Sequence, residues 1–424
     1  MSPSPPPPGP PARDLGIDTL RGVAILLVLL HHFNIAYSLR DTTLAAWLGW
    51  PLLHAIARNG NYGVTIFFAV SGFLITRNAL ARWGDLARID VADFYALRAA
   101  RILPCLALVV AAVDALALAG LPLFDNRAGA PVSLWTVNAA ALTFWMNVLV
   151  THVGWINYPL GVLWSLSVEA VFYLLFPVLC VGLAGARRWL LPGLAIGVIC
   201  AAPWYRLANQ GEAEAYLYGY LACFDAIAIG CCGAVLARRG HAGLLGTRVA
   251  RAAILAAMSA LYLAWPIGVS NVLGTTAMAL GTVLFLAGSG AAEPRRHADP
   301  ATRRAAGSHD EAREEAREYT SGHAIARPLW ITRALAACGR RSYELYLFHL
   351  IVLGIARGML PASHVAGDGR LLMLLAYLLG SAALAAAVAR MWSDPANAAI
   401  RKRFVRGLPM KARADAAAGA DSAG

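Results

Sequence analysis

The sequence is dominated by apolar blocks of about 20 residues, the length that an α-helix needs to cross the ~30 Å hydrocarbon core of a bilayer. Of the 424 residues, 59% are hydrophobic and 14% are charged, whereas about a quarter of the residues in a typical soluble domain are charged. Alternating runs typical of barrel strands do not occur, so we predict an all-α integral membrane protein. The eleven candidate segments are 16–38, 61–77, 102–121, 134–151, 161–184, 189–203, 219–237, 250–267, 272–289, 342–359 and 371–391.

The arginine-rich loops limit how many of these segments cross, because such loops stay in the cytoplasm. If all eleven segments crossed, the arginines near 187, at 238–251 and at 290–341 would lie outside. If 134–151 instead returns to its own side, every arginine-rich loop becomes cytoplasmic. We therefore predict about ten transmembrane helices, plus one re-entrant or interfacial helix at 134–151, with both termini in the cytoplasm.

Polar stretches divide the chain into one membrane domain and its flanks. Residues 1–14 are rich in proline and are predicted to be disordered. Residues 15–400 form the predicted transmembrane domain, interrupted by a polar cytoplasmic loop at 290–330. Residues 401–424 are predicted to be a basic, mostly disordered tail. Since no other segment is long enough for a soluble catalytic domain, any chemistry is expected among the helices.

The net charge of +12 does not predict nucleic-acid binding. The arginines lie between apolar blocks rather than along one face of a soluble domain. In a membrane protein, arginines at such positions indicate which loops stay on the cytoplasmic side. The seven cysteines show no metal-ligand spacing, and six of them lie inside apolar blocks, where cysteine behaves as a small hydrophobe. We therefore expect no metal and no nucleic-acid partner, and the lipid bilayer is the first predicted partner.

The first apolar segment carries an arginine and a histidine on one helical face. His32 follows Arg21 by eleven residues, which is three helical turns plus about 20° and a rise of about 16 Å. This rise puts His32 near mid-membrane, where a protonatable group is costly and needs a reason. Asp18, three residues before Arg21, is spaced to pair with it. From this segment alone, a hydrogen bond to a neighbouring helix explains His32 at least as well as catalysis.

Arg98 and Arg101 form a second pair at the cytoplasmic start of the third segment. Their spacing of three residues puts both guanidinium groups on one helical face. Two such groups suit a polyanion, since arginine binds phosphate oxygens in a bidentate manner. The alternative is an ordinary positive-inside anchor, which is the more common role of arginines at such a position.

Four further polar residues lie inside apolar segments. Glu169 and Tyr173 are one turn apart in the fifth segment, Asp225 lies in the seventh, and His349 in the tenth. A carboxylate and a histidine from different helices could share a proton, or each could make a helix-packing hydrogen bond. The glycine-containing run at 63–72 indicates close approach of helices rather than a ligand site.

Taken together, these segments resemble the membrane-bound acyltransferase 3 family, which includes bacterial O-antigen and exopolysaccharide O-acetylases. The resemblance covers roughly residues 14–400 and rests on seven motifs that occur in the family's order. The motifs are IDTLRGVAILLVLLHHF (17–33), GVTIFFAVSGFLI (63–75), FYALRAARILP (94–104), LWSLSVEAVFYLLFP (163–177), FDAIAIG (224–230), GRRSYELYLFH (339–349) and WSDPANAAIRKRF (392–404).

The resemblance implies roles for particular residues. His32 would be the catalytic histidine, with Arg21 as its partner in the same helix, and Glu169 would contribute to the active site. Arg98 and Arg101 would contact the phosphates of acyl-CoA, the donor substrate, with acetyl-CoA as the default. The sequence departs from the family at His31, where an aromatic residue is usual, and at Asp394-Pro395, where Glu-Pro is usual.

The implied reaction is acyl transfer from acyl-CoA to a hydroxyl of a carbohydrate, either a surface polysaccharide or a lipid-linked glycan. Asp18, Tyr173, Asp225 and His349 are further candidates for substrate binding. The implied location is the inner membrane of a bacterium. Two features of the residues themselves agree with the resemblance. The arginine pair is predicted on the cytoplasmic side, and His32 lies deep enough to meet a thioester.

Two other kinds of protein are compatible with the composition. Buried His, Glu and Asp residues on ten helices also suit a proton-coupled secondary transporter. Transporters commonly contain repeats and paired broken helices, and the sequence shows neither. An assembly partner without chemistry is the third possibility. Consumption of acyl-CoA by purified protein in detergent, without a membrane gradient, distinguishes an enzyme from both.

Overall fold

The computed structural model describes residues 14–183, 187, 189–238, 244–290 and 329–405. Within these residues the chain folds into α-helices without a β-strand, so the predicted all-α membrane class is confirmed. The predicted disordered N-terminus apart from Asp14, most of the loop 290–330 and most of the tail 401–424 lie outside the described residues. The helices are α1 (Leu15–Tyr37), α2 (Thr43–Leu48), α3 (Trp50–Arg58), α4 (Gly60–Trp83), α5 (Val91–Leu118), α6 (Leu134–Leu142), α7 (Met146–Val153), α8 (Trp164–Gly182), α9 (Leu190–Ala208), α10 (Ala213–Tyr218), α11 (Tyr220–Arg238), α12 (Arg248–Ala264), α13 (Ile267–Gly290), α14 (Trp330–Arg340), α15 (Ser342–Met359), α16 (Gly369–Val388) and α17 (Asp394–Phe404).

Polar residues begin several of the apolar helices by capping their free backbone N–H groups. The Asp14 carboxylate accepts hydrogen bonds from the backbone N–H groups of the first turn of α1. Asp90 caps α5 and Thr247 caps α12 in the same manner. These caps satisfy donors that an apolar run leaves unpaired at its start, so each helix begins where the polar loop gives way to the apolar block.

Eight helical segments of the described chain are long and apolar enough to cross a bilayer. They are Leu15–Tyr37, Trp50–Trp83, Val91–Leu118, Gly161–Gly182, Leu190–Ala208, Ala213–Arg238, Ile267–Gly288 and Gly369–Phe404. Two other predicted spans fall in α12, which has 17 residues, and in α15, which carries Glu344, His349 and Arg357. The figure of ten spans therefore stays a prediction.

The predicted non-spanning segment 134–151 is a broken helix. It divides into α6 and α7 at Phe144, whose φ of 63° is in the left-handed region. With nine and eight residues, these helices rise about 13 Å and 12 Å, less than half of a ~30 Å hydrocarbon core. Neither piece can cross alone, which agrees with a re-entrant or interfacial arrangement.

Glycine residues allow two pairs of helices to approach closely. A Cβ added at Gly72 in α4 would overlap the backbone carbonyl of Ile227 in α11, and one at Gly230 would overlap that of Ala69. Gly22 and Gly339 play the same part where α1 crosses α14. The prediction that the run at 63–72 serves close helix packing is therefore confirmed.

A buried ion pair joins three helices inside the bundle. Arg206 of α9 and Asp225 of α11 are both fully buried, and their nearest N–O distance is 2.9 Å. Thr276 of α13 donates to Asp225 at 2.6 Å and accepts from Arg206 at 2.6 Å. The sequence analysis places Asp225 among candidate substrate residues, but the structure shows its carboxylate fully occupied within the bundle.

Breaking this ion pair is expected to destabilise the protein. Arg206→Ala leaves a buried carboxylate without its cation and should lower the free energy of unfolding by about 3–5 kcal/mol. The double variant Arg206→Met with Asp225→Leu removes both charges and should recover much of the loss. The measurement is the thermal unfolding midpoint of the purified protein in detergent.

The control for this experiment is Asp41→Asn. Asp41 pairs with Arg370 at 3.3 Å, but its side chain is 71% exposed, so its loss should cost no more than about 1 kcal/mol. Equal midpoints for Arg206→Ala and Asp41→Asn would show that the buried pair does not hold the three helices together.

Candidate active site

A cavity of about 1650 Å³ enters the helical bundle from the end at which α1 and α5 begin. Charged side chains at helix ends line its mouth, among them Asp14, Arg77 and Arg340. Its inner end reaches Ser165 and Tyr346. Small-molecule pockets are typically ~300–1,000 Å³, so this cavity has room for a large ligand with a long arm.

Six arginines line the cavity, and three of them belong to the predicted pairs: Arg21 of α1, and Arg98 and Arg101 of α5. The guanidinium of Arg98 lies 5.9 Å from the centre of the Tyr173 ring, and that of Arg101 lies 5.5 Å from the centre of the Tyr343 ring. The Nε atom of Arg98 is buried without a hydrogen-bond partner. The predicted shared face of Arg98 and Arg101 therefore opens into the cavity.

None of these three arginines forms an ion pair with a carboxylate of the described residues within 4.0 Å. At the mouth, by contrast, Arg77 pairs with Asp14 at 3.4 Å and Arg340 with Asp18 at 4.0 Å. Glu169 also lines the cavity and interacts electrostatically with all three unpaired arginines. Guanidinium groups without an ion-pair partner can still bind phosphate oxygens directly.

Asp18 lies three residues before Arg21 and also lines the cavity, but its ion pair is with Arg340 of α14. Arg21 instead donates to the Ser342 hydroxyl at the start of α15, at 2.8 Å. Asp18 and Arg21 therefore interact electrostatically without an ion pair within 4.0 Å, and each makes its direct contact to a different element. The reason is tertiary, because α14 and the start of α15 pack beside this part of α1.

A carboxylate, a phenol and a hydroxyl form a connected group on the cavity wall. The Tyr173 hydroxyl donates to Glu169 at 2.7 Å and lies 3.1 Å from the Ser71 hydroxyl of α4. All three residues line the cavity. Glu169 and Tyr173 were predicted as site residues, whereas Ser71 was read only as part of a packing motif.

The two predicted histidines meet across helices. His32 of α1 and His349 of α15 have ring centroids 5.0 Å apart, and Nε2 of His349 is 3.4 Å from Nδ1 of His32. Each Nδ1 atom also faces a backbone carbonyl, Val28 O at 2.9 Å for His32 and Tyr346 O at 2.7 Å for His349. Since a carbonyl can only accept, a neutral pair carries its protons on Nδ1. This leaves Nε2 of His32 as a free base.

The histidine pair lies just beyond the inner end of the cavity, not on its wall. Neither His32 nor His349 is among the lining residues. Tyr346, one turn before His349, lines the cavity, and its ring centroid is 5.9 Å from that of His349. Phe67 packs edge-on against Tyr346 at 6.5 Å. One layer of aromatic side chains therefore separates the cavity from the imidazoles.

The structure thus collects most predicted residues at one place. Arg21, Arg98, Arg101, Asp18, Glu169 and Tyr173 line the cavity, His32 and His349 lie at its inner end, and Asp225 lies elsewhere in its ion pair with Arg206. Sequence analysis missed Ser71, Ser342 and Arg251 as lining residues. Their only sequence signal is that they fall within, or next to, the motifs and the arginine-rich loops.

The chain is similar to bacterial acetyltransferases over part of its length. It is 29% identical to YrhL of Bacillus subtilis, named as a candidate peptidoglycan O-acetyltransferase, over 231 residues, which are 51% of this chain and 32% of that protein. It is 28% identical over 169 residues to the O-acetyltransferase OatA of Staphylococcus aureus, covering 38% of this chain and 24% of that protein. The chain thus aligns with a third or less of the length of these two relatives.

A third relative is BcsY of Komagataeibacter xylinus, named as a candidate membrane-bound transacylase. It is 30% identical over 237 residues, which are 51% of this chain and 53% of that protein. No solved structure matches the chain.

The match to a family model is more extensive than any of these alignments. It covers residues 14–390, and the model describes an acyltransferase domain. These bounds include the cavity, its arginines and the histidine pair. The chain therefore belongs to the membrane-bound acyltransferase 3 family, as its sequence motifs predicted.

Proposed function

We propose that this protein is an O-acyltransferase that moves an acyl group, by default acetyl, from acyl-CoA to a carbohydrate hydroxyl. The observation that carries the proposal is a cavity that ends beside the His32–His349 pair and is lined by Arg21, Arg98 and Arg101, none of which forms an ion pair within the described chain. Acyl-CoA is a polyanion with a long thin arm, so its chemistry fits both ends of this cavity. The name of YrhL, a candidate peptidoglycan O-acetyltransferase, supports a polysaccharide acceptor.

In this proposal Arg98 and Arg101 bind the phosphates of acyl-CoA from the cytoplasm. The guanidinium groups of the pair bind phosphate oxygens by charge-assisted hydrogen bonds, which are strongest where water is excluded. The pantetheine arm then follows α1 from Arg21 toward His32, a distance of about 16 Å along the helix. The side chains of Tyr346 and Phe67 must move aside for the thioester to reach the imidazole.

His32 acts as the general base. Its Nε2 takes the proton from the acceptor hydroxyl as the hydroxyl oxygen attacks the thioester carbonyl. The C–O bond forms, the C–S bond breaks, and the leaving CoA thiolate takes the proton from the imidazolium. The Nδ1–H of His32 is shared between the Val28 carbonyl and Nε2 of His349, and these two acceptors orient the imidazole. A route through an acyl-histidine intermediate uses the same nitrogen as nucleophile.

Glu169 and Tyr173 are assigned to the acceptor or to orientation of the donor. Their hydrogen-bonded group, with Ser71, lies on the cavity wall. Carboxylate and hydroxyl groups are suited to sugar hydroxyls, because both kinds of group accept hydrogen bonds. We place the protein in the inner membrane of a bacterium, with both termini in the cytoplasm, where acyl-CoA is found.

The proposed function predicts a change in the surface glycans of the cell. Mass spectrometry of surface polysaccharides, from cells with and without the gene for this chain, should show the loss of one acyl mass per modified residue. Cells that carry His32→Ala instead of the wild type should lose the same mass. Identical spectra from all three strains would contradict the acylation of a surface glycan.

His32→Ala should lower acyl transfer by at least about 100-fold, because a positioned general base contributes ~10²–10⁴-fold. The measurement is acyl-CoA consumption by purified protein in detergent with a polysaccharide acceptor. The matched control is His31→Gln, since His31 is the neighbouring residue and its Nδ1 faces only the carbonyl of Ala57, at 3.1 Å. Transfer that survives in His32→Ala would remove this residue from the reaction.

Arg98→Gln and Arg101→Gln should each weaken the binding of CoA by roughly 10- to 100-fold, since a hydrogen bond to a charged group contributes about 1.5–3 kcal/mol. Isothermal titration with CoA measures this effect. Arg88→Gln is the control, because Arg88 precedes α5 and is exposed to solvent. Unchanged affinity in both variants would show that the pair is only a membrane anchor.

A further inference from the structure

Arg251 of α12 is one of the six arginines that line the cavity, and no part of the proposed mechanism uses it. The guanidinium carbon lies 4.7 Å from the centre of the Phe285 ring of α13. Its Nε atom is buried and has no hydrogen-bond partner, and no carboxylate of the described chain lies within ion-pair distance.

The partial burial of Arg251, with its Nε atom fully enclosed, argues against the role of a simple membrane anchor. An anchor extends its guanidinium to water or to lipid headgroups. Arg248, one turn earlier in the same helix, does so and is exposed. Arg251 instead holds a buried donor over an aromatic ring beside the cavity. A buried donor without a partner is costly, so the arrangement favours a ligand that supplies an acceptor.

Arg251 lies closer to the start of its helix than Arg98 and Arg101 lie to the start of theirs. Arg251 is three residues into α12, about 5 Å from its start, whereas Arg98 and Arg101 are about 10 Å and 15 Å into α5. Two other arginines of the mouth are in ion pairs, Arg77 with Asp14 and Arg340 with Asp18. Arg251 is therefore the mouth arginine that retains its charge for a ligand.

We infer that Arg251 and Phe285 form a subsite for the 3′-phosphorylated adenosine of the donor, with Arg251 on the 3′-phosphate and Phe285 beside the adenine. This inference rests on the proposed use of acyl-CoA. When the acyl end points toward His32, the nucleotide end remains at the mouth, and the diphosphate lies between them near Arg98 and Arg101. The 3′-phosphate is a monoester with two ionisable oxygens, which suits the bidentate guanidinium.

The subsite predicts that the protein distinguishes CoA from 3′-dephospho-CoA, which lacks only this phosphate. The wild type should bind CoA roughly 10- to 100-fold more tightly, as expected for a hydrogen-bonded charged group. Arg251→Gln should remove this preference by weakening CoA alone, and Arg251→Lys should keep part of it. The measurement is isothermal titration of the purified full-length protein in detergent with each of the two nucleotides.

Arg248→Gln is the matched control, because it removes the same charge one turn away, at an exposed residue that does not line the cavity, and should leave the preference intact. Equal affinity of the wild type for the two nucleotides would overturn the inference without any variant. An equal loss for both nucleotides in Arg251→Gln would also overturn it, since the effect would then be general electrostatic attraction. Binding of neither nucleotide by the wild type would overturn the use of acyl-CoA and the subsite with it, whereas binding of both without preference leaves the proposed function standing.

Discussion

The cost of holding a guanidinium among apolar helices organises this protein. Arg206 meets the cost with a carboxylate, a hydroxyl and backbone carbonyls, and it joins α9, α11 and α13. Arg98 and Arg101 meet it with aromatic rings and with an open cavity. The same chemical group therefore stabilises the fold on one side of the bundle and remains available to a ligand on the other.

Helices α1 and α15 connect the basic part of the cavity with the histidine pair in the interior. They contact each other at two levels, through Arg21 and Ser342 and then through His32 and His349. Residue numbers rise from the first contact to the second in both helices, so the two helices run in the same direction. The basic cavity and the imidazole pair are thereby parts of one rigid arrangement, and a shift of either helix would alter both.

The aromatic layer at the inner end of the cavity gives this arrangement a further property. Tyr346 is held by the hydroxyl of Ser165 at 2.8 Å and donates to Val162 O at 2.9 Å. These contacts keep the phenol between the cavity and His349. A thioester in the cavity would meet Tyr346 before His32, so the side chain separates the donor from the base until it moves. Separation of this kind would protect a thioester from hydrolysis while no acceptor is present.

The class of the protein, and which residues share a helical face, follow from the amino-acid sequence alone. Apolar blocks of membrane length fixed the helices, because backbone groups in lipid must be paired within a segment. Helical periodicity put Arg98 with Arg101, and Arg21 with His32, on shared faces. The family motifs identified most of the residues that the structure collects around the cavity.

Which helices meet is known only from the tertiary fold. Contact between residues far apart in sequence depends on how helices pack and not on local periodicity. Arg206, which precedes a polar loop in the sequence, is the buried partner of Asp225. The pairing of His32 with His349 spans 317 residues, and no spacing rule predicts it. Arg251 resembled any other cytoplasmic arginine until packing aimed it into the cavity. The charge of a residue and the periodicity of a helix follow from the local sequence, whereas the partner of each charge depends on the fold.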